Sequence, residues 1–493
     1  MKQYLAFDLG AESGRCMLGQ LDGGRLEITE LHRFPNGPVS VHGTLYWDIL
    51  GIYQNLLEGM SVFARKFGAA VDGIGVDSWA IDFGLLDRYG DPLQNPVCYR
   101  DSRTEGMVEA VCKEVDRGEL FRRTGLNVNA IHTLFQMSAL AEKRPSVLRQ
   151  ASCLLNIPSL LTYFMCGAKC AEHTLAGTTQ LYDPRARDWD AELLRILGLP
   201  SDILPSIVEP STLLGELGDE AKAVTGLERA PVYATCTHDT AAAVAAVPGE
   251  GDDWAFISSG TWSVFGMLNE EVVTSDRAYS AGVCNEPTLG GNFVCKNLTG
   301  LWLLQQARAS WKRGGTEYGY EELAQAAAEA PAGGPLLSVG HPGFLAPTDM
   351  VAEIGDFCRT TGQAVPETVP EIARCILESL ALCYRESLDE LTAITGKTVG
   401  RINVVGGGSL NEPLCQFTAN ACGMPVIAGP KPATSAGNLL TQAVGAGDLS
   451  GPDELRAVVR ASFPLKEYVP VGGDGYWDGR YQAYMQLVQS SQS

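Results

Sequence analysis

The sequence predicts an α/β fold built from two related halves, on two observations. A chain of 493 residues is longer than a single hydrophobic core usually supports, so we expect two domains. Each half also contains a strand, a polar glycine turn, a return strand, a long amphipathic helix and a further buried strand, in that order. Strands that alternate with helices are typical of α/β proteins, and the repeated order indicates a structural duplication.

The first half opens with a predicted β-hairpin. The apolar run that starts at Tyr4 reaches Asp8, a turn follows through Ser13 and Gly14, and a return strand starts at Arg15. A helix is predicted next, with Asp48 as its N-cap and Gly68 at its end. Its apolar face is formed by Ile49, Ile52, Leu56, Met60, Phe63 and Phe67. The run 74–77 is then predicted to be a short buried strand.

The second half repeats this plan. Residues 255–266 predict a second hairpin, and Pro370 opens a long helix with a continuous apolar face. A strand over 401–405 ends on the glycines 406–408, and the spacing over 411–422 predicts a helix that opens at those glycines.

Two short, turn-rich segments mark the predicted domain boundaries, at 247–251 and at 445–452. We therefore predict an N-terminal domain over 1–247 and a C-terminal domain over 248–452. Residues 453–493 are predicted to form a helical C-terminal segment that packs back on the domains.

The charge of the chain excludes two classes of partner. It has 37 Lys and Arg against 58 Asp and Glu, a net charge of −21, and a field of that sign repels phosphate backbones and anionic membrane surfaces. We expect neither nucleic acid nor membrane as a partner, and a monomer or homodimer. The first apolar run is too short for a signal peptide, which predicts a cytoplasmic protein. The 14 cysteines lack paired Cys-x-x-Cys motifs and are predicted to be buried, reduced thiols.

Three glycine turns could bind phosphate. The turn 8–15 presents backbone N–H groups to an anion, and Asp8 at its mouth could hold Mg²⁺. Taken alone, this turn is more typical of an ordinary polar hairpin. The turn 258–263 in the second half strengthens the case, because one such turn in each half indicates a nucleotide held by both. Residues 406–408 precede a helix and could add N–H donors, although they match neither a dinucleotide fingerprint nor a Walker loop.

Asp239 is the candidate general base. It follows the predicted strand 231–236 and precedes a small-residue helix over 241–246, and ligands of α/β folds tend to bind at the carboxyl ends of strands. A hydroxyl that accepts a phosphoryl group needs a carboxylate to orient it and take its proton. The alternative is that Asp239 serves only as the N-cap of the helix.

These residues together resemble the carbohydrate kinases that act on glycerol, xylulose and gluconate. The matching stretches run in order over nearly the whole chain: 8–15, 75–83, 99–104, 237–240, 258–263, 296–305 and 406–438. Within that family the end of the first turn, 11–15, is similar to members that phosphorylate L-rhamnulose, where most others carry Thr after the glycine. The resemblance implies two actin-like (ribonuclease H-like) domains with ATP and sugar in the cleft between them, the sugar on the N-terminal side and the nucleotide on the C-terminal side.

The resemblance also assigns roles by position. Asp239 would be the proton acceptor and Asp8 would face Mg²⁺. The sugar would contact Ala80, His238, Asp239, Thr240 and Asn297. ATP would contact Ala11, Glu12, Ser13, Gly14, Arg15, Thr261, Gln305 and Gly407. The implied activity is transfer of phosphate from ATP to the C1 hydroxyl of a small ketose.

The sequence departs from the family pattern at two sites. Ala80 stands where the family usually has Gly, and Glu12 replaces a common Ser, so we expect the Glu12 side chain to point away from the phosphates. The alternatives left open are a kinase for another ketose, such as L-fuculose or L- or D-xylulose, and an actin-like ATPase switch without sugar transfer.

Two further features are not assigned to ligand binding. Trp262 and Trp302 are predicted to pack within the protein and not to stack on a ligand. Four charged residues, Asp82, Arg100, Asp101 and Arg103, are predicted to form a paired network near the sugar pocket, with no role assigned to it.

Overall fold

The computed structural model describes residues 1–472 and 475–492, which divide into two compact units. The first unit comprises Met1–Ala246, Asn269–Val294 and Ala433–Ser462, and the second comprises Val247–Leu268, Cys295–Pro432 and Phe463–Ser493. The units are therefore interleaved along the chain, whereas the domain ranges predicted from the sequence are continuous.

Fourteen strands and ten helices lie between the N-terminus and residue 246. The strands are β1 (Lys2–Leu9), β2 (Ser13–Asp22), β3 (Arg25–Pro35), β4 (Pro38–Val41), β5 (Thr44–Trp47), β6 (Gly73–Ser78), β7 (Phe83–Leu86), β8 (Cys153–Asn156), β9 (Ala171–Glu172), β10 (Tyr182–Asp183), β11 (Asp188–Trp189), β12 (Ile207–Val208), β13 (Thr212–Glu216) and β14 (Pro231–Ala234). The helices are α1 (Ile49–Phe67), α2 (Met107–Val111), α3 (Arg117–Thr124), α4 (Thr133–Lys143), α5 (Pro145–Leu148), α6 (Ile157–Cys166), α7 (His173–Ala176), α8 (Ala191–Ile196), α9 (Asp219–Thr225) and α10 (Asp239–Ala245).

The central sheet of the first unit has six strands in the order β13-β14-β6-β1-β2-β3. The predicted hairpin forms its antiparallel side, β1 with β2, while β6 lies parallel to β1 and β14 lies parallel to β6. Helix α1 begins after Asp48, whose carboxylate accepts a hydrogen bond from the Gly51 amide, and ends at Gly68. Its buried face includes Ile52, Leu56 and Phe63, so the predicted helix and both of its ends are confirmed.

Between residues 247 and 432 the chain forms six strands and six helices. The strands are β15 (Trp254–Ser259), β16 (Trp262–Leu268), β17 (Cys284–Thr288), β18 (Gly291–Thr299), β19 (Arg401–Val405) and β20 (Val426–Ala428). The helices are α11 (Asp276–Ser280), α12 (Trp302–Arg313), α13 (Tyr320–Glu329), α14 (Met350–Thr360), α15 (Val369–Thr395) and α16 (Glu412–Cys422). The remaining elements are α17 (Ala433–Gly445), α18 (Pro452–Ser462), β21 (Lys466–Tyr468) and α19 (Tyr476–Gln492).

The second unit repeats the arrangement of the first. Strands β15 and β16 form an antiparallel hairpin, and β19 lies parallel to β15. Beyond the hairpin, the sheet continues through β19, β20 and β21 in that order. Helix α15 begins at a capping box, in which Thr368 and Glu371 satisfy each other's backbone amides. The predicted duplication is confirmed at the level of the hairpin, the long helix and the next parallel strand.

One local prediction needs correction. The glycines after β19 do not open a helix directly, because residues 407–410 form a separate 3-10 turn. Helix α16 then begins at Glu412, with Asn411 as its side-chain cap.

The 14 cysteines are all free and all lie in the described residues, and only Cys112, Cys166 and Cys422 are not buried. The prediction of buried, reduced thiols is confirmed for the other eleven. Among the helices of the described residues, none combines the length and the apolar character needed to cross a membrane.

Candidate active site

Three carboxylates of the first unit lie at the carboxyl ends of neighbouring parallel strands. Asp8 in β1 is paired in register with Asp77 in β6. Ser78, the last residue of β6, bridges to His238, and its amide donates to the Thr237 carbonyl at 2.9 Å. Asp239 follows immediately. Ligands of open α/β sheets bind at this edge, so the position of Asp239 agrees with the site predicted from the sequence.

Asp239 is the first residue of α10, and the N-cap of that helix is His238. The alternative that Asp239 is itself the N-cap is therefore wrong. One Asp239 carboxylate oxygen accepts from the Thr240 amide at 2.6 Å and from the Thr240 hydroxyl at 3.2 Å. The side chain remains 38% exposed. Burial and, to a smaller extent, the negative charge of Asp8 together raise the pKa of Asp239 to about 6, against the hydrogen bonds from Thr240. A carboxylate of this kind is still ionised at neutral pH and is a stronger base than a free Asp.

Asp8 and Asp77 are each held by a side chain of α17. The Ser435 hydroxyl donates to Asp8 at 2.8 Å, and the Asn438 amide donates to Asp77 at 2.6 Å. Burial and the nearby charge of Asp8 raise the pKa of Asp77 well above its usual value, and the Asn438 hydrogen bond opposes that shift. Arg15 lies at a longer distance, 3.9 Å from an Asp8 oxygen, and its side chain is 37% exposed. The guanidinium therefore keeps donors available for another anion.

His238 lies between two carboxylates. Its Nε2 is 3.4 Å from an Asp239 oxygen and its Nδ1 is 3.4 Å from a Glu286 oxygen. Burial lowers the pKa of His238, with Glu286 acting in the opposite direction, so the ring is neutral at physiological pH. A neutral imidazole has one donor and one acceptor nitrogen, which suits recognition of a hydroxyl.

Glu172 holds the backbone on which His238 and Asp239 lie. One of its oxygens accepts from the Thr237 amide at 3.1 Å and from the Thr237 hydroxyl at 2.5 Å, and the other accepts from the Thr174 amide at 2.9 Å. Burial raises the pKa of Glu172 to about 7. Sequence analysis missed this residue because it is distant in sequence from Thr237 and belongs to no motif.

The first hairpin turn has the compact form that was predicted. The Gly10 amide donates to the Ser13 carbonyl at 2.9 Å, and Ala11 and Ser13 are partly exposed. Glu12 is exposed to solvent. Gly14 is required for packing, since a Cβ at this position would lie 2.2 Å from the Phe34 ring.

The candidate nucleotide residues of the second unit gather around the β15–β16 turn. The Thr261 carbonyl accepts from the Gly300 amide at 3.2 Å and the Trp302 amide at 3.0 Å, which fixes this turn at the start of α12. Gln305 lies in the first turns of α12 and is partly exposed. Thr261 itself is exposed.

The third glycine turn packs against the same hairpin. A Cβ on Gly406 or Gly408 would lie 2.9 Å or 2.0 Å from Ser259, so both glycines allow close approach of the two turns. Gly407 is exposed, and a Cβ there would meet nothing within 4 Å. It is therefore the one glycine of the three whose backbone is open to a ligand. Asn297 is exposed on β18, beside Lys296, which pairs with Glu390.

Two of the remaining predictions need correction. Trp262 does not pack within the protein, because it is 54% exposed. Trp302 does pack, since it is partly buried and its indole donates to the Phe344 carbonyl at 3.0 Å. Asp82 pairs with neither arginine of the predicted network: it accepts from two indoles, while Arg103 donates to Gln136 and Arg100 donates to Tyr99.

Comparison with known proteins identifies the family of this chain. The N-terminal domain model of the FGGY family of carbohydrate kinases matches residues 3–246, and its C-terminal domain model matches residues 255–446. The rhamnulokinase of Bacteroides thetaiotaomicron is 39% identical over 99% of this chain and 100% of its own. The rhamnulokinase of Enterococcus faecalis is 38% identical over 98% of this chain and 97% of its own.

Solved structures establish the fold. The xylulose kinase from Rhodospirillum rubrum superposes with a TM-score of 0.83 at 20% identity, covering 99% of each chain. The Plasmodium falciparum glycerol kinase with ADP superposes with a TM-score of 0.80 at 18% identity, covering 100% of this chain and 98% of the other. The predicted α/β fold of two actin-like domains is confirmed. The chain is a sugar kinase and belongs to the FGGY family of carbohydrate kinases.

Proposed function

We propose that this kinase transfers the γ-phosphoryl group of ATP to the C1 hydroxyl of L-rhamnulose, giving L-rhamnulose 1-phosphate and ADP. Two similar proteins named rhamnulokinase, at 39% and 38% identity over nearly the full chain, support this choice of ketose. The observation that carries the chemistry is Asp239, a partly exposed carboxylate with a raised pKa at the carboxyl edge of the sheet.

Asp239 acts as the general base. The C1 hydroxyl of the ketose donates its proton to the free carboxylate oxygen as the sugar oxygen bonds to the γ-phosphorus. The bond from that phosphorus to the β,γ-bridging oxygen breaks, and ADP leaves with the electron pair. Thr240 holds the carboxylate through two hydrogen bonds, so the base is oriented before the sugar binds.

The sugar contacts Ala80, His238, Thr240 and Asn297 in addition to Asp239. A neutral His238, with Glu286 at 3.4 Å on its far side, can present its second ring nitrogen to a sugar hydroxyl. Ala80 is partly exposed and limits the pocket by one methyl group relative to glycine. That methyl group supports the second candidate function, a kinase for another ketose, because one methyl group can change specificity by about 10- to 200-fold.

The family resemblance assigns ATP contacts to residues 11–15, through backbone donors and the Arg15 guanidinium. It assigns further ATP contacts to Thr261, Gln305 and Gly407. Asp8 would hold Mg²⁺, which stabilises the charge of the phosphates when bound. A single carboxylate fits this ion, because Mg²⁺ keeps several waters and binds phosphate oxygens. The free thiols fit a reducing compartment, and we propose a cytoplasmic location.

A panel of ketoses tests this proposal. ADP formation would be measured with L-rhamnulose, L-fuculose, L-xylulose, D-xylulose and no sugar, at equal concentrations of ATP and Mg²⁺. We expect kcat/KM to be highest for L-rhamnulose, and ADP formation without sugar to be negligible. A higher kcat/KM for another ketose would make that ketose the substrate in place of L-rhamnulose. ADP formation that is independent of sugar would support the ATPase-switch alternative.

A further inference from the structure

A buried residue beside the candidate sugar site has an unfavourable backbone conformation. Ile81 has φ +72°, in the left-handed region, and is the only β-branched member of the five non-glycine residues with positive φ in the described chain. This conformation brings Cβ close to the backbone and is strongly disfavoured for a branched side chain. Such strain persists only where the surroundings enforce it, and it is concentrated at functional sites.

The Ile81 backbone is held from two directions. Its carbonyl accepts from the Thr133 hydroxyl at 2.7 Å and from the Gln136 amide at 3.3 Å. The next amide, that of Asp82, donates back to the Ala80 carbonyl at 2.9 Å. The turn at Ile81 therefore fixes the direction in which Ala80 is presented.

The Asp82 carboxylate is at the centre of this arrangement. One oxygen accepts from the Trp47 indole at 2.6 Å, the Trp79 indole at 3.0 Å and the Tyr99 amide at 3.2 Å, and the other accepts from Gln136 at 3.0 Å. The residue is only 1% exposed, so it cannot itself contact a sugar. All four partners are donors, which makes an ionised carboxylate the group that fits and makes an amide a poor substitute.

This arrangement lies next to the candidate base. Ser78 bridges to His238 through the sheet, and its hydroxyl donates to the Trp79 carbonyl at 2.7 Å. The segment 79–82 thus leaves the sheet beside the strand end that carries Asp239. Within the segment, Trp79, Ile81 and Asp82 are buried and Ala80 is partly exposed.

We propose that Asp82 is a positioning residue for the ketose: by anchoring both indoles and Gln136, it holds Ile81 in the left-handed conformation and so presents the Ala80 backbone to the sugar. This assignment rests on the proposed function, in which Ala80 contacts the substrate. In this role Asp82 affects ketose binding and leaves ATP binding and phosphoryl transfer unchanged.

The first test is Asp82→Asn. We expect the KM for the ketose to rise about 5- to 30-fold, because this factor matches the energetic cost of holding one branched residue in the left-handed conformation without the Asp82 restraint. Both kcat and the KM for ATP should stay within about twofold of wild type. Trp79→Phe, which removes one indole donor and keeps a ring, should give a smaller rise in the same direction and serves if Asp82→Asn folds poorly.

Asp190→Asn is the matched control. Asp190 is also a buried carboxylate of the first unit, but it caps α8 through the Leu193 amide and pairs with Arg123. The Asp190→Asn substitution should therefore lower the stability of the protein without changing the KM for the ketose. If both variants raise that KM equally, or if Asp82→Asn lowers kcat and leaves KM unchanged, the assignment is wrong.

A double mutant separates positioning from general damage. Glycine adopts φ +72° without a steric penalty, so Ile81→Gly removes the need for the restraint. The effect of Asp82→Asn on the KM for the ketose should therefore fall to about twofold in the Ile81→Gly background. An undiminished effect in that background would show that Asp82 acts by another route.

A measurement without substrate separates this proposal from the proposed function. Hydrogen exchange of the peptide spanning residues 78–83 should be faster in Asp82→Asn than in wild type and unaffected by Asp190→Asn. Unchanged exchange would overturn the assignment whichever sugar the kinase uses. Absence of ketose-dependent ADP formation in the wild type would overturn the proposed function alone.

Discussion

Asp239→Asn should inactivate the kinase and stabilise it. The variant loses its proton acceptor, so we expect kcat to fall about 10²- to 10⁴-fold while ATP still binds. The stabilisation follows from the pKa of Asp239, which is raised from 3.8 to about 6. A raised acidic pKa means that the native state holds the proton more tightly than the unfolded state, so ionisation of Asp239 costs stability as the pH rises through that range.

The magnitude can be worked out from the shift and the exposure. About two pK units correspond to an upper bound of about 3 kcal/mol in the free energy of unfolding. The Asp239 side chain is 38% exposed, and solvent screening reduces that bound to about 1 kcal/mol. For a unit of about 300 residues, that gain raises the melting temperature by about 1–2 °C.

The assay combines ADP release with thermal unfolding at two pH values. At about pH 8 the variant should melt above wild type, and the difference should shrink toward about pH 5, because wild-type Asp239 is then largely protonated. Asp48→Asn, at an exposed N-cap where Asn serves as well as Asp, should show no such trend. A variant of Asp239 that is inactive but less stable than wild type at both pH values would refute the reasoning.

Three further predictions follow from the first unit. Because Asp239 must be ionised to act, kcat/KM should fall as the pH drops below an apparent pKa near 6. Asp8→Asn removes a charge that raises the pKa of Asp239, so it should move this acidic limb of the pH–rate profile to lower pH. An acidic limb that does not move would contradict the electrostatic coupling of Asp8 with Asp239. Gly14→Ala places a Cβ 2.2 Å from the Phe34 ring, so chemical denaturation should show a loss of about 1–3 kcal/mol, whereas unchanged stability would mean that the ring moves freely. Arg15→Ala should raise the KM for ATP about tenfold or more with little change in ketose binding by calorimetry, and equal damage to both would argue against a phosphate role.

The elements that sequence analysis located correctly are those fixed by nearby residues. Helix α1 is bounded by Asp48, which caps an amide three residues away, and by Gly68. The start of α15 depends on Thr368 and its partner three residues later. Interactions of this range leave a pattern in the local sequence, so both helices were predictable.

The carboxylates of the site are held by hydrogen bonds from residues far away in the sequence, which no local sequence pattern can predict. Ser435 holds Asp8 across 427 positions, and Asn438 holds Asp77 across 361. Asp77 did carry a signal in the sequence, since it closes the apolar run 74–77 as Asp8 closes the run that starts at Tyr4. Trp262 was misjudged because a large aromatic residue is buried on average, and only the tertiary fold decides whether a particular turn is covered.

The comparison of Asp82 with Asp239 explains why a shifted pKa does not by itself identify the base. Burial raises both pKa values to about 6. Asp82 is 1% exposed and its oxygens accept from four donors, so no substrate proton can reach it. Within the described part of the chain, the hydrogen bonds that Asp239 accepts come from Thr240, and both use the same oxygen. The side chain remains open to solvent, which leaves the other carboxylate oxygen for a sugar hydroxyl. Solvent access to the carboxylate therefore distinguishes the candidate base, Asp239, from Asp82, which positions its neighbours. The two substitutions should accordingly affect different kinetic constants: Asp239→Asn should lower kcat, and Asp82→Asn should raise the KM for the ketose.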